Sequence, residues 1–297
     1  MKKYVEAIGE NVHLFEFDGV RSGDVMPTLF CSDIHLDSIG CKREILKKHF
    51  DEIKHANGLI FIFGDLLDVM GSYGDRRLQR EDIDPQFIQH GRTYLDLVAE
   101  YTIEFLKPYA ENIALISYGN HEKTINKFHD HDILRSIVWA LNLDPKVNIQ
   151  LGAYSGWVIF RMMKAKNTCV VTKKIHYHHG FGGNAKRSKG MLDVQIEVMK
   201  YPDADILVRG HTHQKWFDPS TARMRITSHG MLYKDKVKYI QSGSYVDGVG
   251  DGKSGWVVEK NFNPTDIGGW FVDFHYKLSH GTKAINTRVI ETPVDEF

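Results

Sequence analysis

Residues 59–68 of this chain are LIFIFGDLLD, and this segment decides the kind of fold that the chain adopts. Its first five residues are aliphatic or aromatic, which is typical of a fully buried strand in a parallel sheet. Gly64 follows, and a glycine permits the turn that directs Asp65 away from the strand end. Polar side chains at such strand ends form the binding sites of open α/β sheets.

Short apolar runs of the same kind recur on both sides of this segment. They cover residues 12–17, 28–31, 113–117, 157–162, 169–176 and 206–208. Apolar residues at helical spacing lie at 43–57, 93–109 and 132–141. From about residue 150 helical patterns become rare, and strands are predicted over 157–171, 215–246 and 270–276. We therefore predict an α/β fold with two packed sheets, formed by one domain over residues 1–297.

Composition places the chain among ordinary globular proteins. Of its 297 residues, 42% are hydrophobic and 26% are charged, and 38 Lys and Arg balance 38 Asp and Glu. This balance provides no overall field towards nucleic acid or an anionic membrane, so a polyanion would need a local basic patch. Because the amino terminus lacks the apolar run of a signal peptide and no segment has the length of a membrane span, we expect a cytoplasmic protein without membrane contacts.

Histidine is the residue type that points to chemistry. The chain has 16 His residues, and several of them lie beside Gly or Asp, as in metal sites. The three cysteines, Cys31, Cys41 and Cys169, are widely spaced, which fits a reducing compartment and predicts small core residues.

Five segments place metal-ligand residue types directly after a predicted strand. They are DIH at 33–35, GDLLD at 64–68, GNHE at 119–122, HYHHG at 176–180 and GHTH at 210–213. Asp33 and His35 are two residues apart, so in an extended chain both side chains point the same way towards one metal. Each pattern alone is weak evidence, whereas the five together and in this order are strong evidence.

These segments resemble the five motif blocks of the calcineurin-like metallophosphoesterase superfamily, from D-x-H through G-D-x-x-D and G-N-H-E to G-H-T-H. They span Asp33 to His213, about two thirds of the chain. The resemblance implies a four-layer α/β/β/α sandwich with two mixed sheets and with the metals at the carboxyl ends of the strands. Residues 214–297 would complete this domain with further strands.

The resemblance also implies a role for each residue of the blocks. Seven side chains would bind two metal ions: Asp33, His35 and His213 the first, Asn120, His179 and His211 the second, and Asp65 both. His121 would stay unligated as the general acid, and Asp68 would orient it.

The chemistry of these residue types agrees with such a centre. A mixed shell of His, Asp and Asn suits transition metals better than Mg or Ca. We expect two divalent ions, with Mn favoured and Fe, Zn or Ni as alternatives. Two such ions would hold the phosphate oxygens and provide a hydroxide for in-line attack on phosphorus, while His121 protonates the leaving oxygen.

Two positions keep a second interpretation. Asp68 either orients His121 or caps a helix N-terminus. In the run HYHH at 176–179 one ligand is enough, and the family pattern favours His179 over His178.

The substrate is predicted from charged residues around the blocks. Protein phosphatases of this superfamily usually carry an Arg after the second block and another before G-N-H-E, where this chain has Val69 and Tyr118, so a phosphoprotein substrate is disfavoured. Basic residues follow the second and fourth blocks instead: Arg76, Arg77, Arg80, Lys186, Arg187 and Lys189. Of these, Arg76, Arg77, Lys186 and Arg187 are predicted to bind the phosphate of the substrate. The Gly-rich run 180–187 is either a phosphate-binding loop or a solvated loop.

Three functions are compatible with these observations. We favour a phosphodiesterase whose partner is DNA, RNA or a nucleotide, which includes a nuclease. A phosphomonoesterase on a nucleotide, a small molecule or a phosphoprotein would use the same metal centre. A non-catalytic metal-binding scaffold is the third hypothesis, and the presence of His121 and of every ligand position argues against it.

Overall fold

The computed structural model describes residues 2–9, 11–69, 83–88, 91–164, 171–182, 191, 193–247, 266–279 and 282–293. In these ranges the first strands are β1 (Lys2–Gly9), β2 (Val12–Asp18), β3 (Val25–Met26), β4 (Thr28–Cys31), β5 (Leu59–Phe63), β6 (Ile113–Ser117) and β7 (Gln150–Gly152). The later strands are β8 (Ser155–Met163), β9 (Val171–His178), β10 (Ile206–Arg209), β11 (Lys215–Ile226), β12 (Leu232–Ser242), β13 (Trp270–Ser279) and β14 (Thr282–Glu291). The helices are α1 (Arg43–His55), α2 (Tyr94–Leu106), α3 (Asn120–His129), α4 (Ile133–Leu141) and α5 (Asp193–Lys200).

The first sheet has the order β14-β13-β4-β5-β6-β7, with the short β3 paired to β13. Strands β4 to β7 run parallel, whereas β13 pairs antiparallel with both β4 and β14. Trp270 is opposite Phe30 in this pairing, so the last strands of the chain complete the sheet that its first half begins.

The second sheet has the order β1-β2-β8-β9-β10-β12-β11. Its central strands β9, β10 and β12 run parallel, and antiparallel pairs lie on both sides of them. The early strand β2 belongs to this sheet through its parallel pairing with β8, so chain order does not separate the two sheets.

The side chains of β5 show how the layers are built. Leu59, Phe61 and Phe63 pack between the two sheets, whereas Ile60 and Ile62 pack against the helices on the other face, as the period of two in a strand requires. Aromatic rings fill much of the space between the sheets, for example Phe15 against Phe61 with ring centroids 5.2 Å apart.

Helix α5 packs on the outer face of the second sheet, over β10 and β12. Val194 and Val198 of this helix pack against Leu207, Val237 and Tyr239. The layers are therefore helices, first sheet, second sheet and helix. This confirms the four-layer α/β/β/α sandwich with two mixed sheets.

The helix ends differ from the predicted ones for local reasons. Helix α1 stops at His55, and Asn57 then takes a left-handed conformation with φ 51°. Helix α2 stops at Leu106 and continues as a 3₁₀ turn, because Pro108 has no N–H to donate to the helix.

Periodicity did not predict α3, α5, β1 or β14. Helix α5 has only eight residues, DVQIEVMK, and α3 is rich in polar residues, so neither shows a wide apolar stripe. Cys31 and Cys41 are buried with free thiols, and Cys169 lies outside the described residues. In the part of the chain that the structure describes, no helix combines the length and the apolar character needed to cross a membrane.

Candidate metal centre

The predicted ligands of the first sheet follow neighbouring parallel strands. Asp33 and His35 come after β4, Asp65 comes after β5, and Asn120 comes after β6. Parallel neighbours end at the same edge of a sheet, so these side chains are brought together by the topology.

The predicted ligands of the second sheet follow the same rule. His179 comes after β9, and His211 and His213 come after β10, which pairs parallel with β9. The Gly210 N–H donates to the carbonyl of His179 at 2.9 Å, which joins the two strand ends.

The backbone at these ligands is unusual. Five of the seven have positive φ: Asp33 (51°), His35 (47°), Asp65 (49°), His211 (70°) and His213 (56°). Such values are uncommon outside glycine, and they persist only where the surroundings determine the conformation. The Ile34 and His35 N–H groups both donate to the carbonyl of Asp65, at 2.8 and 3.1 Å. These hydrogen bonds join the turn that contains His35 to the turn that contains Asp65.

Asp33, His35 and His213 form the first ligand set, whose ligand atoms all lie within 4.8 Å of one another. His35 Nε2 is 3.3 Å from His213 Nε2, and His213 Nε2 is 3.5 Å from Asp33 Oδ1. Asp33 is held by the N–H of His211, which donates to both carboxylate oxygens. The three donor atoms therefore converge on one point.

Asp65, Asn120, His179 and His211 form the second ligand set. His179 Nε2 is 3.0 Å from Asp65 Oδ2 and 3.1 Å from Asn120 Oδ1. His211 Nδ1 is 2.8 Å from the same Asn120 oxygen. His178 instead accepts a hydrogen bond from the Gly180 N–H, so the structure places His179 and not His178 in this set.

Asp65 connects the two sets. An oxygen of its carboxylate lies within 4.8 Å of ring nitrogens of His179 and His211. A carboxylate oxygen also lies within 4.8 Å of ring nitrogens of His35 and His121. A carboxylate has two oxygens, so Asp65 would be able to supply a ligand atom to an ion in each set.

The electrostatics of the centre favours cations. Burial lowers the pKa of His35, but the hydrogen bond and charge of Asp68 outweigh burial and raise the pKa to about 9. Burial is likewise outweighed at His179, where the charges of Asp65 and Asp33 raise the pKa to about 10. The carboxylate charges that stabilise a protonated imidazole here would also stabilise a divalent ion bound in its place. The donor atoms and the charge therefore fit a pair of divalent ions.

His121 lies beside the ligand sets. Its ring is edge-on to His35, with centroids 4.7 Å apart, and its Nε2 is 3.8 Å from Asp65 Oδ2. Its Nδ1 donates to the carbonyl of Asp68 at 2.7 Å and lies 3.3 Å from the Asp68 carboxylate. The same carboxylate is 3.0 Å from His35 Nδ1. Asp68 thus contacts His121, as the orienting interpretation expects, and also a member of the first ligand set.

Glycines of the motifs provide the space for these ligands. A Cβ at Gly119 would lie 1.9 Å from Asp65 Oδ1, and a Cβ at Gly210 would lie 2.7 Å from Asp33 Oδ2. Any side chain at either position would displace a predicted ligand.

Asp37 is a positioning residue that sequence analysis missed. It is buried, its Oδ1 accepts the Asp68 N–H at 2.6 Å, and its Oδ2 accepts the Val69 N–H at 2.9 Å and the Tyr94 hydroxyl. The signal was present in the sequence as D-x-H-x-D, with acidic or His residues at 33, 35 and 37. Glu122 acts similarly, since it accepts the N–H groups of Leu67 and Gly119.

Replacing Asp37 with Asn is expected to lower the free energy of unfolding of the metal-free protein by about 1.5–3 kcal/mol. The amide NH₂ of Asn would face one of the groups that donate to Asp37, so a buried donor would lose its acceptor. Urea unfolding measures the change. Asp144→Asn, at an exposed position, serves as the control and should change stability by about 0.5 kcal/mol or less. Equal small changes in both variants would contradict the role of Asp37.

The predicted substrate-binding residues Arg76, Arg77, Lys186 and Arg187 lie outside the described residues, as do Arg80 and Lys189. At the positions where protein phosphatases carry Arg, Val69 is buried and the Tyr118 hydroxyl donates to Asp132 at 2.7 Å. Neither position supplies a cation to the centre.

Comparison with known proteins gives one family match. The model for calcineurin-like phosphoesterases matches residues 26–215. No curated protein matches the chain.

Solved structures with similar folds include a predicted phosphoesterase from Streptococcus pneumoniae, at 11% identity and a TM-score of 0.32, covering 89% of this chain and 99% of that one. Vps29 complexed with zinc from Entamoeba histolytica has 13% identity and a TM-score of 0.34, covering 89% and 99%. A metallophosphoesterase from Sphaerobacter thermophilus has 14% identity and a TM-score of 0.30, covering 90% of each chain.

Proposed function

Because this chain belongs to the calcineurin-like phosphoesterase family, we propose that it is a hydrolase of phosphoester bonds that depends on two divalent metal ions. One observation carries the proposal. A carboxylate oxygen of Asp65 lies within 4.8 Å of ring nitrogens from both ligand sets, and His121 lies beside His35 and Asp65.

The residues divide into those that hold the ions and those that handle protons. The two ligand sets would hold one ion each, with Asp65 in common, and Mn is the metal that we propose. When bound, two such ions supply Lewis acidity that polarises the phosphate and lowers the pKa of water.

His121 would provide the proton for the leaving oxygen. Its Nδ1 donates to the Asp68 carbonyl, a group that can only accept, so the proton on Nδ1 stays in place. The exchangeable proton is therefore on Nε2, the atom that faces the ligand sets. Asp68 fixes both the orientation and the tautomer of the ring.

We favour a phosphodiester of nucleic acid or of a nucleotide as the substrate. A diester carries one negative charge and a monoester up to two, so a diester needs fewer cations around the metal pair. Val69 and Tyr118 occupy the positions where protein phosphatases carry arginines. A phosphomonoester remains the alternative, since the same ligand sets would serve it.

The decisive experiment is the ratio of kcat/KM for a chromogenic phosphodiester to kcat/KM for the matching monoester, with Mn²⁺ added and Asp65→Asn as the blank. We expect a ratio well above one. A ratio well below one would make the protein a phosphomonoesterase. No turnover of either ester with Mn, Fe, Zn or Ni would favour a non-catalytic scaffold.

The nuclease form of the proposal has its own test. Single-stranded and double-stranded DNA and RNA are incubated with the Mn-loaded protein, and cleavage is followed on gels. If none of the four is cleaved while a small diester is hydrolysed, the nuclease form of the proposal is wrong and the phosphodiesterase form stands.

A further inference from the structure

Aromatic rings stand beside the second ligand set. The ring of Tyr154 is 5.3 Å from the rings of both His178 and His179, and the ring of His178 is 6.1 Å from that of Phe181. We refer to Tyr154, His178 and Phe181 as the aromatic wall.

The backbone fixes Phe181 at the rim of the centre. At Gly180, with φ 120°, the chain passes so close to His211 that a Cβ there would lie 2.8 Å from the His211 Cβ. The carbonyl of Gly182 accepts a hydrogen bond from His211 Nε2 at 2.9 Å. Both chain neighbours of Phe181 are therefore held against a member of the second ligand set.

The side chain of Phe181 is not used in the core. It is 70% exposed, although a ring of this size is normally buried. Phe181 thus exposes its aromatic ring to solvent, while the carbonyl of the next residue, Gly182, contacts His211.

A positive charge lies next to the wall. Lys123 is exposed, and its Nζ lies 5.2 Å from the centre of the Tyr154 ring. It follows Asn120 of the second ligand set by three residues in α3, which places it on the same side of the helix. The region therefore combines aromatic surface, a cation and, next to both, the ligand sets that would bind a phosphate.

We infer that the aromatic wall binds the base of a nucleotide-containing phosphoester, with the ring of Phe181 as the stacking surface. A nucleobase is planar, has a π face that stacks on aromatic side chains, and is joined through a sugar to the phosphate that the centre would hold. An aliphatic phosphoester has no π face to stack on such a surface. This inference rests on the proposed phosphoesterase function and names its substrate class.

The test compares two phosphodiesters with the same nitrophenolate leaving group. One carries thymidine and the other a methyl group. Because a base stacked on an aromatic side chain contributes about 5- to 150-fold, Phe181→Ala should lower kcat/KM for the thymidine ester about 10-fold or more. It should leave kcat/KM for the methyl ester within about twofold.

Matched variants separate stacking from general apolar contact. Phe181→Trp should keep the preference for the thymidine ester, and Phe181→Leu should lose it, because leucine has no π face. Trp139→Ala removes another exposed aromatic ring, on helix α4, and should leave kcat/KM unchanged for both esters. If Phe181→Ala lowers kcat/KM equally for both esters, or lowers it for neither, the inference is overturned and the phosphoesterase function stays intact.

A binding measurement covers the case in which the wild type hydrolyses neither diester, which would refute only the phosphodiesterase form of the proposed function. Calorimetric titration with adenosine monophosphate and with ribose phosphate shows whether the base contributes to binding. We expect tighter binding of adenosine monophosphate by wild type and loss of that difference in Phe181→Ala. Equal binding of both ligands by wild type would overturn the inference.

Discussion

Asp65→Asn is expected to lower kcat/KM about 10³-fold or more, and to leave the protein unable to retain two metal ions. Asp65 Oδ2 lies 3.0 Å from His179 Nε2. An oxygen of the same carboxylate lies within 4.8 Å of ring nitrogens of His35 and His121. An amide has one oxygen and no charge, so it cannot serve both ligand sets or balance two divalent ions. The measurements are steady-state kinetics with Mn²⁺ and metal content after dialysis.

Asp144→Asn makes the same chemical change at an exposed position and should leave both measurements unchanged. Thermal unfolding of Asp65→Asn checks that the variant is folded. A folded Asp65→Asn protein that retained two ions and more than a tenth of the activity would show that Asp65 does not connect the two sets.

His121→Asn is expected to lower kcat about 10²- to 10⁴-fold on a diester with an alkoxide leaving group, without loss of metal. His121 belongs to neither ligand set, and its Nδ1 is held by the Asp68 carbonyl at 2.7 Å. Its role as general acid requires that the leaving oxygen needs a proton. A nitrophenolate departs as a stable anion, so hydrolysis of a nitrophenyl ester should fall much less.

The comparison of leaving groups distinguishes an acid from a binding residue. If His121→Asn slows both esters equally, the side chain acts on phosphate binding or on the position of Asp68 and not as a proton donor. Loss of metal from this variant would instead show that His121 is a ligand, since its ring nitrogen lies within 4.8 Å of ligand atoms of His35 and Asp65.

Strands and motif order were predictable because they are local. Strands β4, β5 and β6 have the predicted bounds, since each is a short apolar run that ends in Gly or a polar residue. The ligand residues follow these ends directly, so the sequence already associates them with one edge of a sheet. The elements that periodicity missed, such as α5 and β1, are short or exposed.

Contacts between distant parts of the chain were not predictable in the same way. The Asp68 carboxylate contacts His35, which is 33 residues away in the sequence. Asp37 accepts a hydrogen bond from the backbone N–H of Asp68, which is 31 residues away. Such pairs depend on how the loops after β4 and β5 lie against each other. The pattern D-x-H-x-D draws attention to Asp37, but it does not identify the backbone groups that Asp37 accepts.

The sequence by itself determined the family, the alternation of strands and helices in the first half, and the seven residues whose ligand atoms the structure brings together. The alternation depends on side-chain period within single segments, whereas the family and the ligand set follow from the resemblance of five motifs, taken together and in order, to a known superfamily. The tertiary structure decided that His179 and not His178 faces Asn120, that Asp68 also contacts His35, and that Phe181 is exposed beside His211. The contact of His179 with Asn120 exists only when the two sheets are packed together, because the two residues follow strands of different sheets. The other two depend on contacts between loops that follow neighbouring strands of one sheet.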